Sequence, residues 1–332
     1  MLEHGGRLRL AAKQYGIALP DWLDLSTGIN PEAYPVPALD SSIWQRLPEE
    51  EDGLEAAAAA YYGNDRLLAL PGSQAAIQSL PRLFPPQVIA CVSPLYEEHP
   101  HAWEKAGHKL RRLPSLARAL SAATPVVLLC NPNNPTAECL SRQTLLDAAD
   151  QLRHRGGWLI VDEAFADAEP ENALAPLAGS EEAPNLIALR SLGKFFGLAG
   201  ARVGFIFAAE EKREPLHEMI GPWAIAHPSR IVARCALEDS AWQANTREKL
   251  KIASQRLAEL LAPLGIVHST ALFCTVSGDG RPLETEALAE HFTQRGILVR
   301  RFDQHALLRF GLPGGEAQWQ RLAGAIAEWK HE

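Results

Sequence analysis

The sequence predicts an α/β protein: a large domain built on a mostly parallel sheet flanked by helices, followed by a smaller α+β domain. Three observations carry this. Through the middle of the chain short, continuous apolar runs alternate with helical patterns, as in strands buried on both faces by crossover helices. Beyond Pro222 the character changes to one long helical pattern, then strand-like runs interleaved with helices. At 332 residues the chain is long enough for more than one core.

The elements follow in order. Gly53 to Tyr62 reads as an alanine-rich helix, and Ser73 to Leu83 as another that starts just after Pro71-Gly72. Strand-like runs are Val88–Val92, Val126–Cys130, Trp158–Val161, Leu186–Leu189 and Val203–Phe207, each closed by Pro, Asn, Asp, Ser or charged residues. Ser229 to Leu261 carries the long helical pattern, which ends at Pro263 and Gly265 and could run from one domain into the next. Strands are then expected at Phe273–Val276, Gly296–Val299 and Leu307–Phe310, with a helix over Glu284–Arg295.

Composition excludes several classes. Apolar residues make up 47 % and charged residues 22 %, and the net charge is −8 with no long block of like charge; no nucleic-acid partner is expected. The N-terminus lacks the unbroken apolar core of a signal peptide, and no run approaches the ~18 apolar residues of a membrane helix. Five scattered cysteines without Cys-x-x-Cys spacing point to free thiols in a reducing cytoplasm. His99 and His101 flank Pro100 with no completing ligand in sequence, so a solvated loop is expected there and no metal.

The most informative stretch is Ser191-Leu-Gly-Lys194-Phe-Phe-Gly-Leu-Ala-Gly-Ala-Arg202-Val-Gly204. A hydroxyl, an amine and a guanidinium among glycines suit a ligand with a phosphate at one end and a carbonyl carbon at the other. Lysine forms a Schiff base with such a carbon, Ser191 and Arg202 can bond phosphate oxygens, and pyridoxal phosphate carries both groups. Ser-x-x-Lys also opens the penicillin-binding and β-lactamase pattern, but the companion Ser-Asp-Asn and Lys-Thr-Gly motifs are absent.

Four further constellations sit at the ends of expected strands, where α/β sheets place ligands. Leu70-Pro-Gly72-Ser73-Gln74 is a small-residue turn feeding a helix, an anion site or an ordinary cap. Asn131-Pro-Asn-Asn134-Pro-Thr136 is a rigid turn that can aim the Asn134 amide. Val161-Asp162-Glu163 puts a carboxylate just past a buried strand, which needs a cation such as a protonated pyridine nitrogen. Arg309, on the apolar run Leu307–Phe310, suits a bidentate carboxylate partner, and Arg300 and Arg301 could hold a second anion.

In this order and spacing the motifs resemble the fold type I pyridoxal-phosphate family, the aspartate-aminotransferase superfamily, and within it the branch holding histidinol-phosphate aminotransferases and threonine-phosphate decarboxylases. The resemblance implies pyridoxal 5'-phosphate as cofactor and Lys194 as the Schiff-base lysine. Asp162 would partner the pyridine nitrogen, Asn134 would bond the phenolic oxygen and Tyr96 would stack on the ring. Gly72, Ser73, Gln74, Ser191 and Arg202 would hold the phosphate. Arg309 would bind the substrate α-carboxylate, with Gly28 and Asn30 in a segment closing over it. The implied division is residues 1–35 as that closing segment, 36–228 as the large cofactor domain and 229–332 as the small domain. A homodimer is implied, since the family builds its site between two subunits.

Two departures stand out. Phe165 occupies the place of a tyrosine that reaches the phenolic oxygen, and Gln45-Arg46-Leu47-Pro48 replaces an Arg-Tyr-Pro segment whose tyrosine reaches the neighbouring subunit's phosphate. His4-Gly5-Gly6 and Leu25-Ser26-Thr27-Gly28-Ile29-Asn30-Pro31 resemble the decarboxylases. The expected substrate is therefore a small phosphorylated amino acid, L-threonine O-3-phosphate, with His4, Ser26 and Arg300 as candidates for its phosphate. Transamination of histidinol phosphate is the alternative, and a non-catalytic cofactor-binding module a more distant one.

Overall fold

The computed structural model describes residues 4–278 and 283–329; the ends of the expected N-terminal segment and small domain lie outside that range. Strands follow in the order β1 (Leu23–Asp24), β2 (Leu67–Leu70), β3 (Val88–Val92), β4 (Lys109–Leu113), β5 (Val126–Cys130), β6 (Trp158–Asp162), β7 (Leu186–Ser191), β8 (Gly204–Phe207), β9 (Ile266–Thr270), β10 (Phe273–Ser277), β11 (Ile297–Leu298), β12 (Arg300–Phe302) and β13 (Leu307–Gly311). The chain divides into two compact units. One holds Ala33–Asn134 and Cys139–Asn245; the other holds the N-terminal segment through Glu32, Pro135–Glu138 and the chain from Thr246. The division thus differs from that implied by the sequence: residues 229–245 pack with the large unit, and the N-terminal segment with the small one.

The large unit is a seven-stranded sheet in the order β2-β8-β7-β6-β5-β3-β4. Strands β3 to β7 pair in parallel, while β8 runs antiparallel to both β7 and β2. Every residue of β5, β7 and β8 is buried, which explains their apolar runs, unbroken but for Arg190 and Ser191 at the end of β7. Leu70, Ile89, Leu128, Ile160, Ile187 and Ile206 belong to one core that also takes Ile77, Trp103 and Leu216 from helices.

Two strands of the large sheet escape the sequence pattern, as do β1, β9 and β12 of the small unit. The edge strand β4 reads Lys-Leu-Arg-Arg-Leu and is largely exposed, charges being usual on an edge that must not pair with another chain. The other, β2, has four residues. The expected helix from Ser73 to Leu83 stops at Ser79 and tightens into a 3-10 turn over Leu80–Leu83, because Pro81 cannot donate the next helical hydrogen bond. The long pattern from Ser229 is two helices, His227–Glu238 and Ser240–Leu261, broken at Asp239.

In the small unit β12-β13-β10-β9 form an antiparallel sheet and β1 pairs in parallel with β11. Helices Leu8–Tyr15, Thr285–Gln294 and Glu316–Trp329 belong to the same unit.

Candidate active site

Parallel strands deliver their C-terminal ends to one edge of the large sheet, and the candidate residues follow those ends. Ser191 faces Gly204 across β7 and β8, and Gly204 faces Leu70 across β8 and β2. This row brings the Gly72 turn beside Ser191. Gly72 has φ 78°, and a Cβ there would lie 2.5 Å from Arg202 Nη2; a Cβ on Gly204 would lie 2.5 Å from the Ser73 backbone nitrogen. Only glycine permits both approaches. Arg202 itself takes a left-handed φ of 53° and donates from Nη1 to the Ala199 carbonyl at 3.1 Å. Ser191 Oγ accepts the Gly193 N–H at 3.3 Å. Gly72, Ser73, Ser191 and Arg202 therefore converge where the helix Ser73–Ser79 presents its first N–H groups. The Gln74 side chain turns elsewhere: its amide donates to Glu98 at 3.0 Å, beside Gln78 at 3.1 Å. What Gln74 offers an anion is its backbone N–H.

At the other end Asp162 closes β6, 5 % exposed. Oδ1 accepts the Ala164 N–H at 3.0 Å, and Oδ2 lies 2.8 Å from Nε2 of the buried His99. This corrects the sequence expectation of a solvated His99 loop. Glu98–Lys105 is a helix with Pro100 in its first turn, where proline is tolerated; His101 points outward while His99 points in. The fold also brings Cys130 to His99 and Asp162, with all three donor atoms within 4.8 Å. Burial pushes the Cys130 thiol well above its ordinary range, with the Asp162 charge adding, and its sulfur takes the backbone N–H groups of Tyr96 and Asn134. The trio thus sets the Asp162 carboxylate between a histidine and a buried thiol.

The Tyr96 and Asn134 turns are locked together. Asn133 Nδ2 donates to the Pro94 carbonyl at 2.8 Å, and the Asn131 side chain closes its own turn on Leu140 at 2.8 and 3.0 Å. Both turns contain a cis proline bond, Ser93–Pro94 and Asn131–Pro132. Tyr96 stands edge-on to His99 with ring centroids 6.2 Å apart, and burial, aided by Glu98, pushes its hydroxyl up to about 12. Lys194 follows β7, its Nζ 5.2 Å from the Phe165 ring centroid. A phenyl face meets the amine where the resemblance implies a tyrosine.

One group beneath these residues was not anticipated. Arg190, just before Ser191, is buried with Glu163, just after Asp162, at 3.2 Å and with Asp167 at 2.7 Å. Glu163 also accepts the Leu174 and Ala175 N–H groups at 2.5 and 3.1 Å, and the guanidinium lies 4.8 Å from the Tyr62 ring centroid. Burial pushes the Glu163 carboxyl up, while the Arg190 charge opposes that. The sequence signal was an arginine inside an apolar strand, which needs a buried anion.

The substrate candidates lie in the small unit. Arg309 is buried on β13 and faces Arg300 of β12 and Thr275 of β10 in register, so the three share one sheet face. The Arg300 and Arg309 guanidinium carbons lie 5.1 and 5.7 Å from the Phe302 ring centroid. Arg309 Nη2 donates to the Ser26 carbonyl at 2.8 Å. Asn30 Oδ1 accepts the Glu32 N–H at 3.0 Å, shaping the Asn30–Glu32 bend, and Gly28 and Asn30 are buried. His4, Arg7, Ser26, Arg300 and Arg301 line one cavity of about 550 Å³.

In the large unit, the cradle that a Cβ would fill, the anchored Asp162 and the amine of Lys194 fit a group with a phosphate, a pyridine nitrogen and an aldehyde. Residues 30–326 match the family of class I and II aminotransferases, and the chain belongs to that family. It is 48 % identical to a threonine-phosphate decarboxylase of Pseudomonas aeruginosa over 99 % of this chain and 98 % of the other. It is 39 % identical to a threonine-phosphate decarboxylase of a Sinorhizobium species over 98 % of each. Among solved structures, a histidinol-phosphate aminotransferase from Sinorhizobium meliloti has a TM-score of 0.84 at 20 % identity, covering 98 % of this chain and 95 % of that one, and so shares the fold.

Proposed function

We propose that this chain is a pyridoxal-phosphate enzyme that decarboxylates L-threonine O-3-phosphate to (R)-1-aminopropan-2-yl phosphate, a step serving cobalamin biosynthesis. The observation that carries the reading is the Arg300–Arg309 pair. The two arginines sit opposite each other in register on one face of the sheet, and two guanidiniums side by side suit a ligand that carries two anions. Threonine phosphate brings a carboxylate and a phosphate on one small molecule; histidinol phosphate brings only the phosphate. The two relatives matched over 98 % or more of this chain carry the decarboxylase name.

When bound, the cofactor supplies an electron-withdrawing ring that accepts the electron pair left at Cα as carbon dioxide departs. The chain's own residues do the rest. Gly72, Ser73, Gln74 (through its N–H), Ser191 and Arg202 would hold the cofactor phosphate. Asp162, fixed by His99, would pair with the pyridine nitrogen, Asn134 would hold the phenolic oxygen and Tyr96 would stack on the ring. Arg309 grips the carboxylate by a bidentate contact and so sets which bond at Cα stands ready to break; Arg300 and His4 hold the substrate phosphate. Lys194 Nζ returns a proton to Cα.

The test is incubation with threonine phosphate and, separately, with histidinol phosphate plus 2-oxoglutarate. Carbon dioxide release without glutamate is expected; glutamate without carbon dioxide overturns the reading in favour of the aminotransferase, and no turnover of any amine supports a binding module. Arg300→Leu is expected to raise KM for threonine phosphate about ten- to a hundredfold, the range of one lost charged hydrogen bond.

A homodimer in the cytoplasm belongs to the same proposal. Leu47, in the segment that the resemblance places against a neighbouring subunit, is 60 % exposed, and Trp44 just before that segment is 71 % exposed; exposed apolar side chains mark such surfaces. The five cysteines are free, and among the described residues no helix is long and apolar enough to cross a membrane. Sedimentation at the mass of two chains is expected; a single-chain mass sinks the dimer.

A further inference from the structure

Ser26 was expected to touch substrate, but its hydroxyl is already engaged. Oγ donates to Asp24 Oδ1 at 2.5 Å and accepts the Gly6 N–H at 2.7 Å, while the Ser26 N–H donates to the same Asp24 oxygen at 2.9 Å. A hydroxyl has one proton to give, and Asp24 takes it. The Ser26 carbonyl receives Arg309 at 2.8 Å, and a Cβ on Gly5 would lie 2.3 Å from that same oxygen. Asp24 is itself fixed, paired with Leu298 between β1 and β11. One residue therefore meets the His4-Gly5-Gly6 segment through its side chain and Arg309 through its backbone.

We propose that Ser26 is a positioning residue rather than a ligand: Asp24 orients its hydroxyl, the hydroxyl holds the segment that carries His4, and its carbonyl aims Arg309. The inference rests on the decarboxylase reading only for the identity of the substrate. It separates the two anion grips. Losing the hydroxyl frees the His4 segment and leaves Arg309 its carbonyl, whereas losing the Asp24 acceptor loosens both.

The experiment uses the holoenzyme, whose cofactor phosphate site is filled, with inorganic phosphate and acetate as competing probes. Ser26→Ala is expected to weaken phosphate inhibition about five- to tenfold, the worth of one hydrogen bond, to speed amide exchange at Gly6 by a similar factor, and to leave acetate inhibition unchanged. Asp24→Ala is expected to weaken both probes, and Asp24→Asn, which keeps the accepting oxygen, to restore them. KM for threonine phosphate should rise in Ser26→Ala with kcat within about twofold. Unchanged phosphate inhibition and Gly6 exchange in Ser26→Ala overturn the proposal, as does acetate weakened as much as phosphate. Should that variant not fold, Gly5→Ala, whose Cβ would meet the Ser26 carbonyl that receives Arg309, is expected to weaken phosphate and acetate together, and unchanged phosphate inhibition there overturns the proposal. Probe effects as expected in a protein that does not turn over threonine phosphate would leave the clamp standing and remove the substrate assignment.

Discussion

Lys194→Ala is expected to lower turnover at least about a thousandfold, within the range that a positioned acid or base contributes and compounded by the loss of the nucleophile. The fold should survive the change. Lys194 lies in the turn after β7 rather than in the core, its backbone carbonyl accepts the Gly197 N–H at 3.1 Å, and its side chain rests on the Phe165 face. An alanine keeps that backbone bond. The checks are steady-state turnover, the absorbance band of the lysine-linked cofactor and a melting curve. Loss of turnover and of that band with little change in melting assigns the lysine; a band that persists in Lys194→Ala rules it out as the covalent anchor.

The second large effect concerns stability. Arg190→Leu removes the cation between Glu163 and Asp167, both fully buried. Breaking a buried ion pair from one side costs about 3–5 kcal/mol because the remaining charge is stranded, which for a chain of this size is on the order of 10 °C in Tm. The sign of its pH dependence follows from burial. Burial already pushes the Glu163 carboxyl up against the pull of Arg190; without the guanidinium it rises further. A carboxyl whose folded pKa exceeds its unfolded value binds its proton more tightly when folded. Stability is then fullest at low pH and falls as pH rises from the unfolded carboxyl range toward neutrality. The variant is therefore expected to recover part of its lost Tm between pH 7 and pH 5, measured by thermal melts across that range. A deficit that does not shrink on acidification would mean that the carboxylates had found another partner. Since Arg190 precedes Ser191 and Glu163 follows Asp162, the same change should loosen cofactor retention.

Much of the fold was legible in the sequence because strands buried on both faces are continuous apolar runs, and β3, β5, β6, β7 and β8 lie on theirs to within two residues. The edge strand β4 was not, since a strand with one open edge and polar faces loses that signature, as in Lys109–Leu113, and β2 is apolar but only four residues long. The Ser191–Gly204 stretch was legible because lysine, arginine and glycine chemistry is local. His99 was not, because Glu97-Glu98-His99-Pro100-His101 is polar throughout and only helix geometry separates the inward histidine from the outward one.

The sequence by itself determined the class of sheet, the turn that carries Lys194 and the carboxylate at the end of β6, since each depends on residues adjacent along the chain. Tertiary structure alone decided what supports them. Arg190 found Glu163 and Asp167, His99 found Asp162, and Ser26 found Gly6 and Arg309, all across separations of twenty residues or more. Such partners are chosen by strand order and register rather than by spacing, and a buried charge or hydroxyl states only that a partner must exist.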